Sequence, residues 1–154
     1  MRRILFVVGV FGLPVVVSVS QHTISAAVIQ EADPRLQRLQ EFFEERDCPL
    51  REAAADFLAA ADKNALDWRL LPSISIIESS GGKDYKRNNV FGWDSGRESF
   101  ASVEEGIHFV AAQLATSRRY RDKGLDEKLN TYNPVPGYTQ RVKAVMRTMG
   151  SVLN

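Results

Sequence analysis

Apolar residues recur at helical spacing along most of the chain after residue 32, and this pattern predicts a mainly α-helical fold. Asp33-Pro34 is typical of a helix start, with an N-cap residue followed by proline in the first turn. Beyond it, apolar positions lie three or four residues apart in segments separated by turn residues. The segments predicted to be helical are 34–45, 50–63, 68–79, 102–114, 125–132 and 138–149.

The segment from Trp68 to Ser79 also contains a Ser-Ile-Ser-Ile alternation, which fits a strand. We favour a helix because Leu70, Ile74 and Ile77 follow one another at i, i+4 and i+7. The expected strand content of the whole chain is near zero, with at most a short hairpin around residues 91–100.

The first 27 residues have the pattern of a secretory signal peptide. Met1-Arg2-Arg3 is a basic start, Ile4–Val17 is an apolar stretch, and Ser25-Ala26-Ala27 offers small residues for cleavage. An uncleaved membrane anchor is the alternative, but spanning a bilayer takes about 20 apolar residues and this stretch is shorter. We therefore expect an exported protein, periplasmic or secreted, with no stable membrane insertion once the signal is cleaved.

The rest of the chain is expected to fold as one compact unit. A total of 154 residues is the size of one ordinary domain plus such a signal. Residues 28–67 are interpreted as an N-terminal helical support, and residues 68–154 as the main domain.

The charge distribution argues against a nucleic-acid partner. The formal net charge is +1, and removal of Arg2 and Arg3 with the signal leaves a net charge of −1. The charge is uneven, since residues 118–147 contain eight bases and three acids. Either this segment favours an anionic polymer such as a cell wall, or its bases are solvated helix faces.

Cysteine and histidine are too sparse for a metal site. Cys48 is the one cysteine, so no intramolecular disulfide can form. His22 falls in the predicted signal region, and His108 stands alone on a predicted helix. We expect no metal, no cofactor and a monomeric protein.

Glu78 is the residue most suggestive of chemistry. It closes the apolar run Leu70–Ile77 and is followed by Ser79-Ser80-Gly81-Gly82, a helix stop. The negative end of the helix dipole and the apolar neighbours both favour a protonated carboxyl group. A carboxyl that stays protonated near neutral pH can act as a general acid. The alternative is an ordinary surface glutamate at a frayed helix end.

Four segments from Ile77 onward, taken in their order along the chain, resemble a known family. They are Ile77–Gly82, Asn88–Gly92, Phe100–Ile107 and Tyr132–Pro134, the last followed by Tyr138. Together they resemble the lysozyme-like superfamily, and within it the glucosaminidase (mannosyl-glycoprotein endo-β-N-acetylglucosaminidase-like) domain, whose members cut bacterial peptidoglycan. The resemblance covers about 80 residues, from Leu70 to Met149.

The resemblance implies a single lysozyme-like helical domain with a long active-site loop that binds a peptidoglycan glycan strand. It implies cleavage of a β-1,4 glycosidic bond beside N-acetylglucosamine, with Glu78 as the catalytic acid. Phe91 and Tyr138 are also suited to packing in the core. The residues implied or proposed to contact the substrate are Ser79, Asn88, Asn89, Phe91, Gly92, Trp93 and Tyr132.

One departure leaves the second half of the mechanism open. Many glucosaminidases insert a lobe after the Phe-Gly segment, and that lobe often carries a second acid. Here the candidates for a second carboxylate are Asp84, Asp94 and Glu98. The alternatives to the hydrolase are a lytic transglycosylase of the same superfamily and a non-catalytic peptidoglycan-binding module.

Overall fold

The computed structural model describes residues 33–150, so the predicted signal peptide and the first residues of the predicted N-terminal support lie outside the described part. Within residues 33–150 the chain forms α-helices and no strand, which confirms the mainly helical class. The helices are α1 (Pro34–Glu44), α2 (Ala54–Lys63), α3 (Leu70–Ser79), α4 (Val103–Thr116), α5 (Leu125–Tyr132) and α6 (Tyr138–Thr148). Two 3-10 turns, Pro49–Ala53 and Trp93–Gly96, precede α2 and follow the Phe-Gly segment.

Side-chain caps fix the starts of two helices where the sequence predicts them. The Asp33 carboxylate accepts a hydrogen bond from the Arg35 backbone N–H at 2.9 Å, at the start of α1. The Ser102 hydroxyl accepts one from the Glu105 N–H at 3.2 Å, and the Glu105 carboxylate accepts one from the Ala101 N–H. Each cap satisfies N–H groups that the first turn of a helix leaves without a partner.

Helix α3 lies at the centre of the fold. All side chains from Leu70 to Ser75 are buried, which is the pattern of a helix enclosed on most of its faces. It packs against α6 and α2, and α2 in turn packs against α1 and α4. No helix within residues 33–150 is both long enough and apolar enough to span a membrane.

A chain of aromatic rings connects the first helices to the long loop. The rings of Phe43 and Phe57 lie 5.6 Å apart, and those of Phe57 and Phe91 lie 6.2 Å apart. All three side chains are fully buried. Residues of α1 and α2 therefore support the loop that follows α3.

The predicted near-zero strand content is confirmed within residues 33–150, and the short hairpin allowed around residues 91–100 does not form. Gly92, Asp94, Ser95 and Gly96 all have positive φ angles, from 51° to 74°, which no strand contains. The Asn89 side-chain amide donates to the carbonyls of Trp93 and Glu98 in place of a strand ladder. A side chain thus supplies the hydrogen bonds that a hairpin would take from its backbone.

Candidate active site

Glu78 lies in the last turn of α3 and is partly buried. Its Oε1 atom is out of contact with solvent and has no hydrogen-bond partner among residues 33–150. An ionised oxygen left in that position pays a desolvation penalty without compensation. The arrangement therefore favours the neutral, protonated carboxyl.

The surroundings raise the pKa of the Glu78 carboxyl, as its apolar neighbours in the sequence suggest. Burial is the largest cause and raises the pKa. The Tyr138 hydroxyl, the Asn133 side chain and the positive charge of Arg141 act in the opposite direction without outweighing it. Glu78 is therefore protonated at a higher pH than an exposed glutamate, with polar groups beside it that favour the anion once it forms.

Tyr138 is the neighbour of Glu78 that sequence reasoning assigned to packing. Its side chain is 1% exposed, and its hydroxyl has no partner of hydrogen-bond geometry within residues 33–150. The hydroxyl is nonetheless near enough to Glu78 for each group to affect the pKa of the other. Burial, and then the charge of Glu78, raise the pKa of Tyr138, so the phenol stays a neutral donor.

Tyr138 occupies this place because α6 begins there. The preceding Gly137 has a φ of +82° and ends the turn that follows α5. Arg141 follows one turn later on α6, and its charge lowers the pKa of Glu78. The i, i+3 spacing of Tyr138 and Arg141 is visible in the sequence, but their approach to the end of α3 depends on the packing of α3 against α6.

Gly92 lies directly against the Glu78 carboxyl. A Cβ atom at this position would come within 3.1 Å of Glu78 Oε2, and the φ angle of +59° is one that other residues rarely adopt. Gly92 also lines an open cleft. Glycine at this position therefore leaves space between the carboxyl and the cleft.

The cleft is an open pocket of about 280 Å³ with an aromatic wall. The Trp93 ring centroid lies 5.9 Å from that of Tyr120 and 5.7 Å from that of Tyr132. Glu78 itself does not line the cleft and is adjacent to it through Gly92. The lining residues are Gly92, Trp93, Asp94, Ser95, Glu98, Arg119, Tyr120 and Tyr132.

Tyr132 lines the cleft, and its hydroxyl forms a hydrogen bond within the protein. The hydroxyl donates to the Phe91 carbonyl, and the ring stacks on that of Tyr138 with 6.0 Å between centroids and 12° between planes. Burial raises the pKa of this phenol well above its usual value. The expected contact of a sugar with Tyr132 can therefore involve the ring rather than the hydroxyl.

The side-chain amides of the two asparagines expected to bind a sugar are hydrogen-bonded to backbone groups of their own loop. Asn89 is 4% exposed, and in addition to its two donated bonds its Oδ1 accepts from the Trp93 N–H at 2.9 Å. The Asn88 amide donates to the carbonyls of Phe100 and Ala101 at 3.0 and 3.1 Å. Because the backbone takes up these amide hydrogens, both residues shape the cleft without offering those donors to a ligand.

Ser79 and Phe91 are also buried rather than open to a ligand. The Ser79 hydroxyl donates to the Ser75 carbonyl and accepts from the Gly82 N–H, which closes the end of α3. The Phe91 side chain is 0% exposed and packs on Phe57. Of the predicted contact residues, the structure brings Gly92, Trp93 and Tyr132 to the cleft, and sequence reasoning missed Arg119 and Tyr120.

The candidates for a second carboxylate separate into two groups. Asp94 and Glu98 line the cleft, whereas Asp84 does not. Asp94 forms an exposed ion pair with Arg97 at 2.6 Å. Glu98 forms no ion pair with any residue from 33 to 150, so it is the cleft carboxylate left for chemistry.

Comparison with known proteins adds no relative. No protein-family model, curated protein or solved structure matches this chain. Among residues 33–150 there is also no group of three or more acidic, histidine or cysteine side chains that could hold a metal ion.

Replacement of Glu78 by glutamine is expected to stabilise the protein at neutral pH. The folded-state pKa of Glu78 is raised, so ionisation above that pKa opposes folding, whereas below the unfolded pKa both states are protonated and no penalty remains. Thermal unfolding of Glu78→Gln should give a higher Tm than wild type near pH 8 and the same Tm near pH 4.

Gly92→Ala is expected to raise the pKa of Glu78 further, because the added methyl group displaces water from the carboxyl. The left-handed backbone should also cost about 1–2 kcal/mol of stability. Gly96→Ala is the matched control, since Gly96 has a φ of +74° and an added methyl group there would meet nothing within 4 Å. An NMR titration of the Glu78 carboxyl carbon should move in Gly92→Ala alone; equal titrations would contradict the contact.

Proposed function

We propose that this chain is a peptidoglycan hydrolase of lysozyme-like fold that cleaves a β-1,4 glycosidic bond beside N-acetylglucosamine. The observation that carries the proposal is the partly buried Glu78 carboxyl, whose pKa is raised and which lies against Gly92, a residue of the cleft wall. The order of segments that resembles the glucosaminidase domain supports the same substrate. Export of the chain, which its first 27 residues predict, would bring it to the cell wall.

Glu78 acts in this proposal as the general acid. The protonated carboxyl donates its proton to the glycosidic oxygen as the bond to the sugar breaks, so the leaving group departs as an alcohol. Donation leaves a carboxylate in a buried position. The Tyr138 hydroxyl, the Asn133 side chain and the Arg141 charge are the groups that favour this anion.

The cleft suits a strand of linked sugars. Trp93, Tyr120 and Tyr132 line it with aromatic rings, and sugar rings have apolar faces formed by their C–H groups. Polar side chains on the same wall can bind hydroxyl and amide groups, as in small-molecule sites generally. Because the cleft is open to solvent, a polymer can pass through it.

Glu78→Gln is expected to abolish the release of fragments from purified peptidoglycan. Glutamine keeps the size of the side chain but has no acidic proton to donate, so the loss should be about 100-fold or more. Release of soluble muropeptides by wild type and variant, measured by mass spectrometry, tests this expectation. Glu41→Gln is the matched control, because Glu41 is an exposed residue of α1, and it should retain full activity.

Equal release by wild type and Glu78→Gln would remove Glu78 from the mechanism. Binding of peptidoglycan without any bond cleavage by wild type would instead support the non-catalytic binding module.

A lytic transglycosylase is the second candidate, and the charges around Glu78 favour it over a retaining hydrolase. A retaining pair holds two carboxyl groups about 5 to 5.5 Å apart, where each would raise the pKa of the other. Within residues 33–150, the charge that affects the pKa of Glu78 is that of Arg141, and no carboxylate there contributes. In the transglycosylase, Glu78 protonates the leaving oxygen and then accepts the proton of a sugar hydroxyl that closes an anhydro ring.

Glu98→Gln separates the two reactions. If Glu98 activates water in an inverting hydrolase, its removal should lower the rate about 100-fold, and wild-type products should carry reducing ends. If Glu78 works alone, Glu98→Gln should keep its activity, and the products should carry anhydro ends. Mass spectrometry of the products from both proteins distinguishes the outcomes, and Asp84→Asn, which lies outside the cleft, is the control.

A further inference from the structure

Arg119 is a positioned cation in the wall of the cleft. It lies in the segment between α4 and α5, and its Nη2 donates to the Thr131 carbonyl at 2.9 Å. Its guanidinium carbon lies 5.7 Å from the centre of the Tyr120 ring. These two contacts hold the guanidinium in place, since Tyr120 is 4% exposed and fixed in the core.

The local acids do not neutralise this guanidinium. Two carboxylates share the cleft wall with it, but Asp94 is paired with Arg97 and Glu98 forms no ion pair with Arg119. Within residues 33–150, Arg119 forms no ion pair, and the Thr131 carbonyl uses one of its five N–H donors. The remaining donors are available to a ligand in the cleft.

A guanidinium recognises one class of sugar substituent, the carboxylate, better than neutral groups. Its planar fork of N–H groups matches a carboxylate with two parallel hydrogen bonds, which a neutral hydroxyl or acetamido group cannot accept in the same way. The aromatic wall of the cleft binds sugar faces whatever the substituents are. Arg119 is therefore the group in the cleft able to distinguish an acidic sugar from a neutral one.

We propose that Arg119 makes the cleft selective for glycan strands in which a sugar carries a carboxylate, in preference to neutral strands of N-acetylglucosamine. In peptidoglycan this carboxylate belongs to the lactyl ether of muramic acid where no peptide is attached, and to the peptide where one is joined to the lactyl group by an amide bond. The inference rests on the proposed function, because it names the substrate feature that the same cleft selects.

Binding measurements with uncleaved strands test the selectivity. Glu78→Gln serves as the background so that the strands stay intact, and isothermal titration is made with three soluble probes. The first is a glycan strand with its peptides, the second is a strand stripped of peptides so that the lactyl carboxylate is free, and the third is a neutral chitin oligomer of equal length. A fourth sample, the peptide-bearing strand with its carboxylates converted to amides, isolates the charge.

When Arg119→Gln is added to the Glu78→Gln background, binding of the acidic strands should weaken about 10- to 100-fold, because the change removes a charge-assisted pair of hydrogen bonds. Binding of the chitin oligomer and of the amidated strand should not change. Arg118→Gln, next to it in sequence but outside the cleft wall, is the matched control for net charge. Arg119→Lys should recover part of the loss, because it restores charge without the planar fork.

The two acidic probes locate the carboxylate. A loss on the stripped strand alone assigns it to the lactyl group, a loss on the peptide-bearing strand alone assigns it to the peptide, and a loss on both shows that Arg119 accepts either carboxylate. Equal weakening of acidic and amidated strands by Arg119→Gln would overturn the proposal, as would equal affinity of the background protein for acidic and neutral strands or no binding to any of them. Failure of the proposed function has a different signature, which is binding of strands that wild type never cleaves.

Discussion

Burial of one ionisable group at the end of α3 is the constraint around which the candidate site is organised. The Glu78 carboxyl cannot be ionised there without cost, so the fold either keeps it protonated or supplies partners for its anion. It does both. Burial favours the protonated carboxyl, while Tyr138 and Arg141 on α6 stabilise the carboxylate. The packing of α6 on α3 is thus an electrostatic requirement as well as a hydrophobic one.

The helices could be predicted from the sequence because their signals are local. Spacing of apolar residues, the Asp33 cap and the Ser102 capping box each act within a few residues, and all lie where the structure has them. The raised pKa of Glu78 could be predicted for the same reason, because its apolar neighbours directly precede it in the sequence. Burial proves to be the largest cause of its raised pKa.

The parts that could not be predicted depend on contacts between distant segments. An asparagine in a loop has the same sequence signature whether its amide faces a ligand or, like that of Asn89, clasps the backbone of its own loop. Tyr138 fits both a packing role and a polar one until α6 is placed against the end of α3. Arg119 and Tyr120 gave no sequence signal because their meeting with Trp93 brings together two loops that are separated by α4.

The clamp formed by Asn89 and the ring of Phe91 has a consequence for motion. Loops that open over active sites usually have few buried contacts, whereas three hydrogen bonds of the Asn89 amide close this loop on itself and the Phe91 ring packs on α2. The Trp93 backbone amide, which donates to the Asn89 side chain, should therefore exchange with solvent slowly. The cleft wall is consequently shaped before a ligand arrives, and a strand docks onto a surface that is already formed.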